Sequence, residues 1–138
     1  MCDFRRQAAV LLTKAEGDYR AAACLGKDSS ISVWTIGFHA QQAVEKALKA
    51  VLIKDGVRYP FTHDIETLTE MMEKHDLRLP PESSELSCLT LFGALFRYED
   101  EGWGVPITVG IDRMLGLAET TVAWARVVLD DAIPSSEA

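Results

Sequence analysis

Residues 38–53 read FHAQQAVEKALKAVLI, a run with no proline or glycine that is rich in Ala, Leu and Val. That composition predicts a helix buried around most of its circumference. An α-helix advances ~100° per residue, so with Trp34 at 0° Phe38 falls near ~40°, Leu48 near ~320° and Leu52 near ~0°. Val44 and Val51 follow at ~280° and ~260°, with Ala40, Ala43 and Ala47 next round the circle. His39, Gln42, Lys46 and Lys49 gather between ~60° and ~140°, a narrow polar strip. Glu45 falls at ~20°, between Trp34 and Phe38, and is expected to point into the protein. A buried carboxylate is costly unless a cation pairs with it, and Arg97 is the first candidate for that cation. Two readings stand side by side: a structural ion pair, or a functional seam of His39, Gln42, Glu45, Lys46 and Lys49.

The remaining segments supply partners for this helix. Phe4, Ala8, Leu11, Leu12, Ala15, Tyr19, Ala22 and Leu25 recur at helical spacing, with Asp3 as N-cap and Gly26 as stop. Ser30 or Ser32 caps the second helix, which runs to about Lys54 and stops at Asp55-Gly56. Gly37 lies inside that helix, where a glycine weakens it and is expected to admit a close neighbour. Thr62, His63 or Asp64 opens a third helix that ends near His75. Pro80-Pro81 introduces a fourth, ESSELSCLTLFGALFRY, and a last helix carries Ile107, Ile111, Met114, Leu115, Ala118, Val122, Ala125, Val128 and Leu129. No strand alternation, repeat or low-complexity block is evident. Helices joined by connections this short pack antiparallel, so residues 1–138 are expected to form one all-α domain, a four- to five-helix up-and-down bundle. A chain of this length buries roughly two-thirds of its unfolded surface, enough for a core of its own.

Charge narrows the function classes. Lys and Arg total 14 against 21 Asp and Glu, a net charge of −7. Nonspecific binding along nucleic acid needs a basic surface and is not expected. Cys2, Cys24 and Cys88 form no CxxC pair, which suggests reduced thiols in a cytoplasm. Cys24 and Cys88 sit among apolar residues and are expected to pack. No run approaches a membrane span and no signal-peptide stretch is evident.

His39, His63-Asp64 and Asp112 invite a metal reading, but a His-Asp pair that opens a helix is more often capping, and no metal or other cofactor is expected. No glycine-rich phosphate loop is present. Lys46 and Lys49 on one strip could hold a phosphate as point charges, or could form a solvated face. RYEDEGWG is the most unusual stretch: Arg97 and Tyr98 leave a helix and the chain turns through glycines around Trp103.

FHAQQAVEKALKAVLI, followed by THDIETL and then FRYEDEG, resembles the HEPN domain of small prokaryotic proteins, over nearly the whole chain. The resemblance implies a four- to five-helix bundle, usually a homodimer, often encoded beside a minimal nucleotidyltransferase in toxin–antitoxin-like pairs. It implies nucleotide binding as one function, which the polar strip and Arg97 would allow, and Gln42, Glu45, Lys46, Lys49, Arg97 and Tyr98 are the expected ligand-binding set. Active relatives are metal-independent ribonucleases with an Arg followed four to six residues later by a His at the dimer cleft. Here Arg97 matches the arginine, but Tyr-Glu-Asp-Glu-Gly-Trp-Gly follows it with no histidine. The acid–base role has no local occupant, and His39 or His63 could fill it only through the fold. The expectation is therefore a dimer that binds a nucleotide or a partner nucleotidyltransferase without catalysis. A ribonuclease with a rearranged site and a purely structural interaction module are the alternatives.

Overall fold

The computed structural model describes residues 3–94 and 109–131. Its elements are α1 (Phe4–Leu25), α2 (Val33–Lys54), α3 (Ile65–Lys74), a 3-10 helix (Ser83–Ala94) and α4 (Ile111–Asp131). The bundle is all-α, and no strand occurs among the described residues.

Local chemistry sets the helix ends. Asp3 accepts the Arg6 amide at 3.0 Å and starts α1. Ser32 accepts the Trp34 amide at 3.1 Å and starts α2. Asp64 accepts the Glu66 amide at 3.3 Å and starts α3. Each side chain satisfies a backbone donor that the helix itself cannot. Past α2 the chain reverses at Gly56, whose φ of 74° suits glycine.

α2 is the central element, packed against α1, α3, α4 and the 3-10 helix. That explains its composition: four neighbours leave it little free circumference, and Ile36, Val44, Leu48, Val51 and Leu52 are all buried. Its alanines, Ala40, Ala43, Ala47 and Ala50, are buried too, as are Ala8, Ala15 and Ala22 on α1. Small residues on both helices allow a close approach along this pair.

Gly37 serves the close contact expected of it. A Cβ built there would lie 2.4 Å from Cδ1 of Phe92, so α2 and the 3-10 helix touch where only hydrogen fits. The fourth segment departs from the α-helix expected. Leu86, Leu89 and Phe92 are each fully buried and recur at a spacing of three, the period of a 3-10 helix rather than of an α-helix. The cysteine expectation is also corrected, because Cys24 and Cys88 are free and exposed. Cys24 lies two residues past buried Ala22, about 200° round α1. Cys88 falls between the buried Leu86 and Leu89 and off their stripe. Ile107, expected in the last helix, lies outside the described residues.

Among the described residues, no helix is long and apolar enough to cross a membrane.

Candidate functional site

The polar strip of α2 divides into two clusters with different partners. His39 and Lys46 are seven residues apart, about two helical turns, so they leave α2 on the same side. Both reach Asp18 on α1: His39 Nδ1 lies 3.2 Å from Oδ1, and Lys46 Nζ lies 2.6 Å from Oδ2. These side chains are partly exposed, and pairs of this kind contribute modestly to stability. Asp18 thus pairs with His39 and Lys46, while Lys49 joins a separate cluster.

The second cluster centres on Glu45, which is 3% exposed, in keeping with its phase on α2. Lys49, one turn on, donates from Nζ to Oε2 at 2.7 Å. Gln41, one turn back and fully buried, donates from Nε2 to Oε1 at 2.8 Å. His63 Nδ1 lies 3.1 Å from both carboxylate oxygens. Gln42 donates from Nε2 to Oε1 of Gln41 at 2.8 Å and more weakly to Oε1 of Glu45 at 3.4 Å. The expected cation, Arg97, lies outside the described residues with Tyr98; within them the carboxylate is met by Lys49 and His63.

Three further elements hold this network in place. The α3 N-terminus delivers His63, the residue just before the Asp64 cap. Gln41 Nε2 also donates to the His63 carbonyl at 3.2 Å, fixing the backbone as well as the ring. The 3-10 helix closes one side: a Cβ at Gly93 would meet the Gln41 amide at 3.1–3.3 Å, and Thr90 Oγ1 accepts the Ile65 amide at 3.3 Å. On another side the Lys49 ammonium sits 5.2 Å from the centroid of the Tyr59 ring, within cation–π range.

Electrostatics follow from this geometry. Burial pushes the Glu45 carboxyl up, but hydrogen bonds from Lys49, Gln41 and His63, together with the Lys49 charge, outweigh it and hold the group below its ordinary value. Burial and then the Glu45 charge raise the Tyr59 phenol. An ionised carboxylate accepts and does not donate, so Nδ1 of His63 carries a proton toward Glu45. That arrangement turns Nε2 away from Glu45, on a side chain 56% exposed.

Of the metal-type residues, His39, His63 and Asp64 have partners within the bundle. His39 pairs with Asp18, Asp64 caps α3, and Asp112 is an exposed residue of the first turn of α4. Among the described residues no group of three or more His, Cys, Asp and Glu could hold a metal ion.

Gln41, Asp18 and Tyr59 are members of these clusters that sequence reasoning missed. Gln41 had a usable signal, since its phase of ~340° places it on the buried face beside Glu45. Asp18 and Tyr59 had none, because their contacts join separate elements.

A family model for the HEPN domain matches residues 8–130, and the chain belongs to that family. No curated protein and no solved structure matches the chain significantly.

Proposed function

We propose that this HEPN chain acts as a homodimer that binds a nucleotide and, in a toxin–antitoxin-like module, a partner minimal nucleotidyltransferase, without chemistry of its own. The nucleotide reading rests on one observation: a single buried carboxylate fixes two nitrogen groups, Lys49 Nζ and His63 Nδ1, at the edge of the bundle. An ammonium has three donors, and Glu45 occupies one of those on Lys49. The others, with the second nitrogen of His63 and the Gln42 amide, are suited to phosphate oxygens. Arg97 follows Gly93 by four residues and supplies the further cation this reading recruits, with Tyr98 beside it in sequence.

Nucleotides at millimolar concentration are expected to raise the melting temperature, because a ligand at 100 times its Kd stabilises the folded state by about 2.7 kcal/mol. The shift should vanish in an Arg97→Ala, Lys49→Gln double variant, in which the introduced amide can still donate to Glu45. If no nucleotide shifts the melting temperature, the interaction-module reading takes its place.

The dimer reading is supported by the family to which the chain belongs, whose domains often dimerise. Sedimentation at micromolar concentration is expected to give the mass of two chains, and a monomer would contradict it.

A second reading, a metal-independent ribonuclease with a rearranged site, is favoured by the carboxylate-held His63. A ring fixed at Nδ1 with its other nitrogen turned away is how a general base is held. Cleavage of RNA through its 2′-hydroxyl needs both a base and an acid, and loss of one such group typically costs ~10²–10⁴-fold in rate. Arg97 stays protonated and cannot serve as the base. Weak or no cleavage in the presence of chelator is therefore expected. Robust cleavage that both Arg97→Ala and His63→Ala abolish would put the ribonuclease reading ahead.

A further inference from the structure

Among the described residues, the exposed large apolar side chains are Val10, Val127 and Phe61, and Phe61 is the aromatic one. It is 95% exposed, so the packing of this chain gives no reason for a phenyl ring at that position. Yet its surroundings are ordered. The Phe61 ring lies 5.6 Å from the His63 ring with planes inclined at 69°, an edge-to-face pair. His63 is itself held at its ring by Glu45 and at its carbonyl by Gln41. Thr62, between them, accepts the Asp64 amide on Oγ1 at 3.0 Å. Pro60 fixes the backbone angle just before Phe61. The ring is thus presented from a braced loop, with one edge against a fixed imidazole.

The charge of this loop selects among occupants. Residues 57–63, VRYPFTH, contain an arginine and a histidine and no carboxylate, in a chain whose net charge is −7. Lys49 adjoins the same loop over Tyr59. An exposed aromatic ring on a loop that carries Arg58 and His63 and no carboxylate fits a ligand that is both aromatic and anionic. A nucleotide has that chemistry, whereas an apolar peptide would match the ring alone.

From these observations we infer that Phe61 is the base-stacking residue of the nucleotide site, with the ligand's base lying on the Phe61 ring and its phosphates toward the cations. This rests on the nucleotide reading above and adds to it which part of the ligand the 57–63 loop recognises. Stacking tolerates every base, so the contact selects a nucleotide over inorganic phosphate rather than one base over another.

The test is calorimetric titration of the full chain with ATP, GTP, CTP and UTP, and separately with inorganic triphosphate, which has no base. Phe61→Ala is expected to weaken nucleotide binding about 5- to 150-fold, the usual loss for one stacked base. Triphosphate binding and melting temperature should not change, because the ring is exposed. Phe61→Trp should restore nucleotide affinity. Nucleotide binding undiminished in Phe61→Ala would overturn this inference and leave the nucleotide reading standing. An equal loss for nucleotide and triphosphate would also overturn it, as would a change in sedimenting mass, which would make Phe61 a contact between chains. No binding of any nucleotide by the wild type would remove the nucleotide reading and the inference with it.

Discussion

Glu45→Ala is expected to cost about 3–5 kcal/mol of folding stability, the usual penalty when one partner of a buried ion pair is removed. The loss arises from what the carboxylate leaves behind. Lys49 is 9% exposed and would be left with no anion beside it. Gln41, fully buried, would lose its shorter hydrogen bond and keep the 3.2 Å bond to the His63 carbonyl. His63 would lose the acceptor that holds its ring. Two companion variants separate these effects. Glu45→Gln keeps an acceptor and should lose less. Glu45→Ala combined with Lys49→Met should recover part of the loss, since an apolar replacement of the whole pair is often tolerated. Denaturant melts of the four proteins are the measurement, and an unchanged stability in Glu45→Ala would mean that the pair does not contribute.

The same carboxylate has a pH signature. Its folded pKa lies below the ordinary value of 4.5. A group depressed on folding contributes stability that is fully present above its unfolded pKa and is lost as pH falls through its folded pKa. The wild type should therefore lose stability relative to Glu45→Gln as pH is lowered below about 4.5.

Gly37→Ala is expected to destabilise the bundle, against the ordinary preference of helices for alanine. In a helix interior Ala gains about 1 kcal/mol over Gly. Here the new Cβ would lie 2.4, 2.6 and 2.8 Å from three atoms of the Phe92 ring. The ring has little room to retreat, being fully buried and packed 5.1 Å from Trp34. α2 has little either, because it is packed against four other elements. Overpacking of this kind typically costs about 1–3 kcal/mol, with larger values where nothing can shift. The melting temperature should fall by several degrees, roughly 4 °C for each kcal/mol of net loss in a domain of this size. Phe92→Leu shrinks the obstructing side chain. Gly37→Ala should therefore be less damaging in that background than in the wild type, and a double-mutant cycle reads the coupling. A rise in melting temperature for Gly37→Ala alone would show that the 3-10 helix yields to it.

Features governed by local chemistry were legible in the sequence. The Asp3 cap was, and the caps of α2 and α3 were narrowed to Ser30 or Ser32 and to Thr62, His63 or Asp64, because a cap acts within three residues. The burial of Glu45 was, because one helix phase decides it. The role of Gly37 was legible as a close approach, but the sequence did not name Phe92 as the neighbour. Lys49 shows where phase arithmetic loses resolution. At ~60° it lies next to Glu45 at ~20°, and whether that edge of the helix is wet depends on what covers it. Tyr59 and the start of α3 cover it, and neither follows from α2 alone. Pairing of His39 and Lys46 with Asp18 spans 21 and 28 residues and depends on how α1 and α2 are set against each other. The 3-10 geometry of Ser83–Ala94 was legible only as the spacing of Leu86, Leu89 and Phe92, which an α-helix of mixed apolar residues also contains.

The site itself was half legible. Gln42, Glu45 and Lys49 were singled out on α2, but His63 was weighed as a cap, a metal ligand or the acid–base group of a ribonuclease, not as a partner of Glu45. Its link to Glu45 comes from the turn that brings the chain back across α2 between Gly56 and Asp64.

A structure determined with the nucleotide that gives the largest thermal shift tests the central claim most directly. The account predicts one nucleotide per chain, its phosphates within hydrogen-bond reach of Lys49 and its base against the 57–63 loop. A nucleotide bound elsewhere on the bundle, with the Glu45 network untouched, would contradict it.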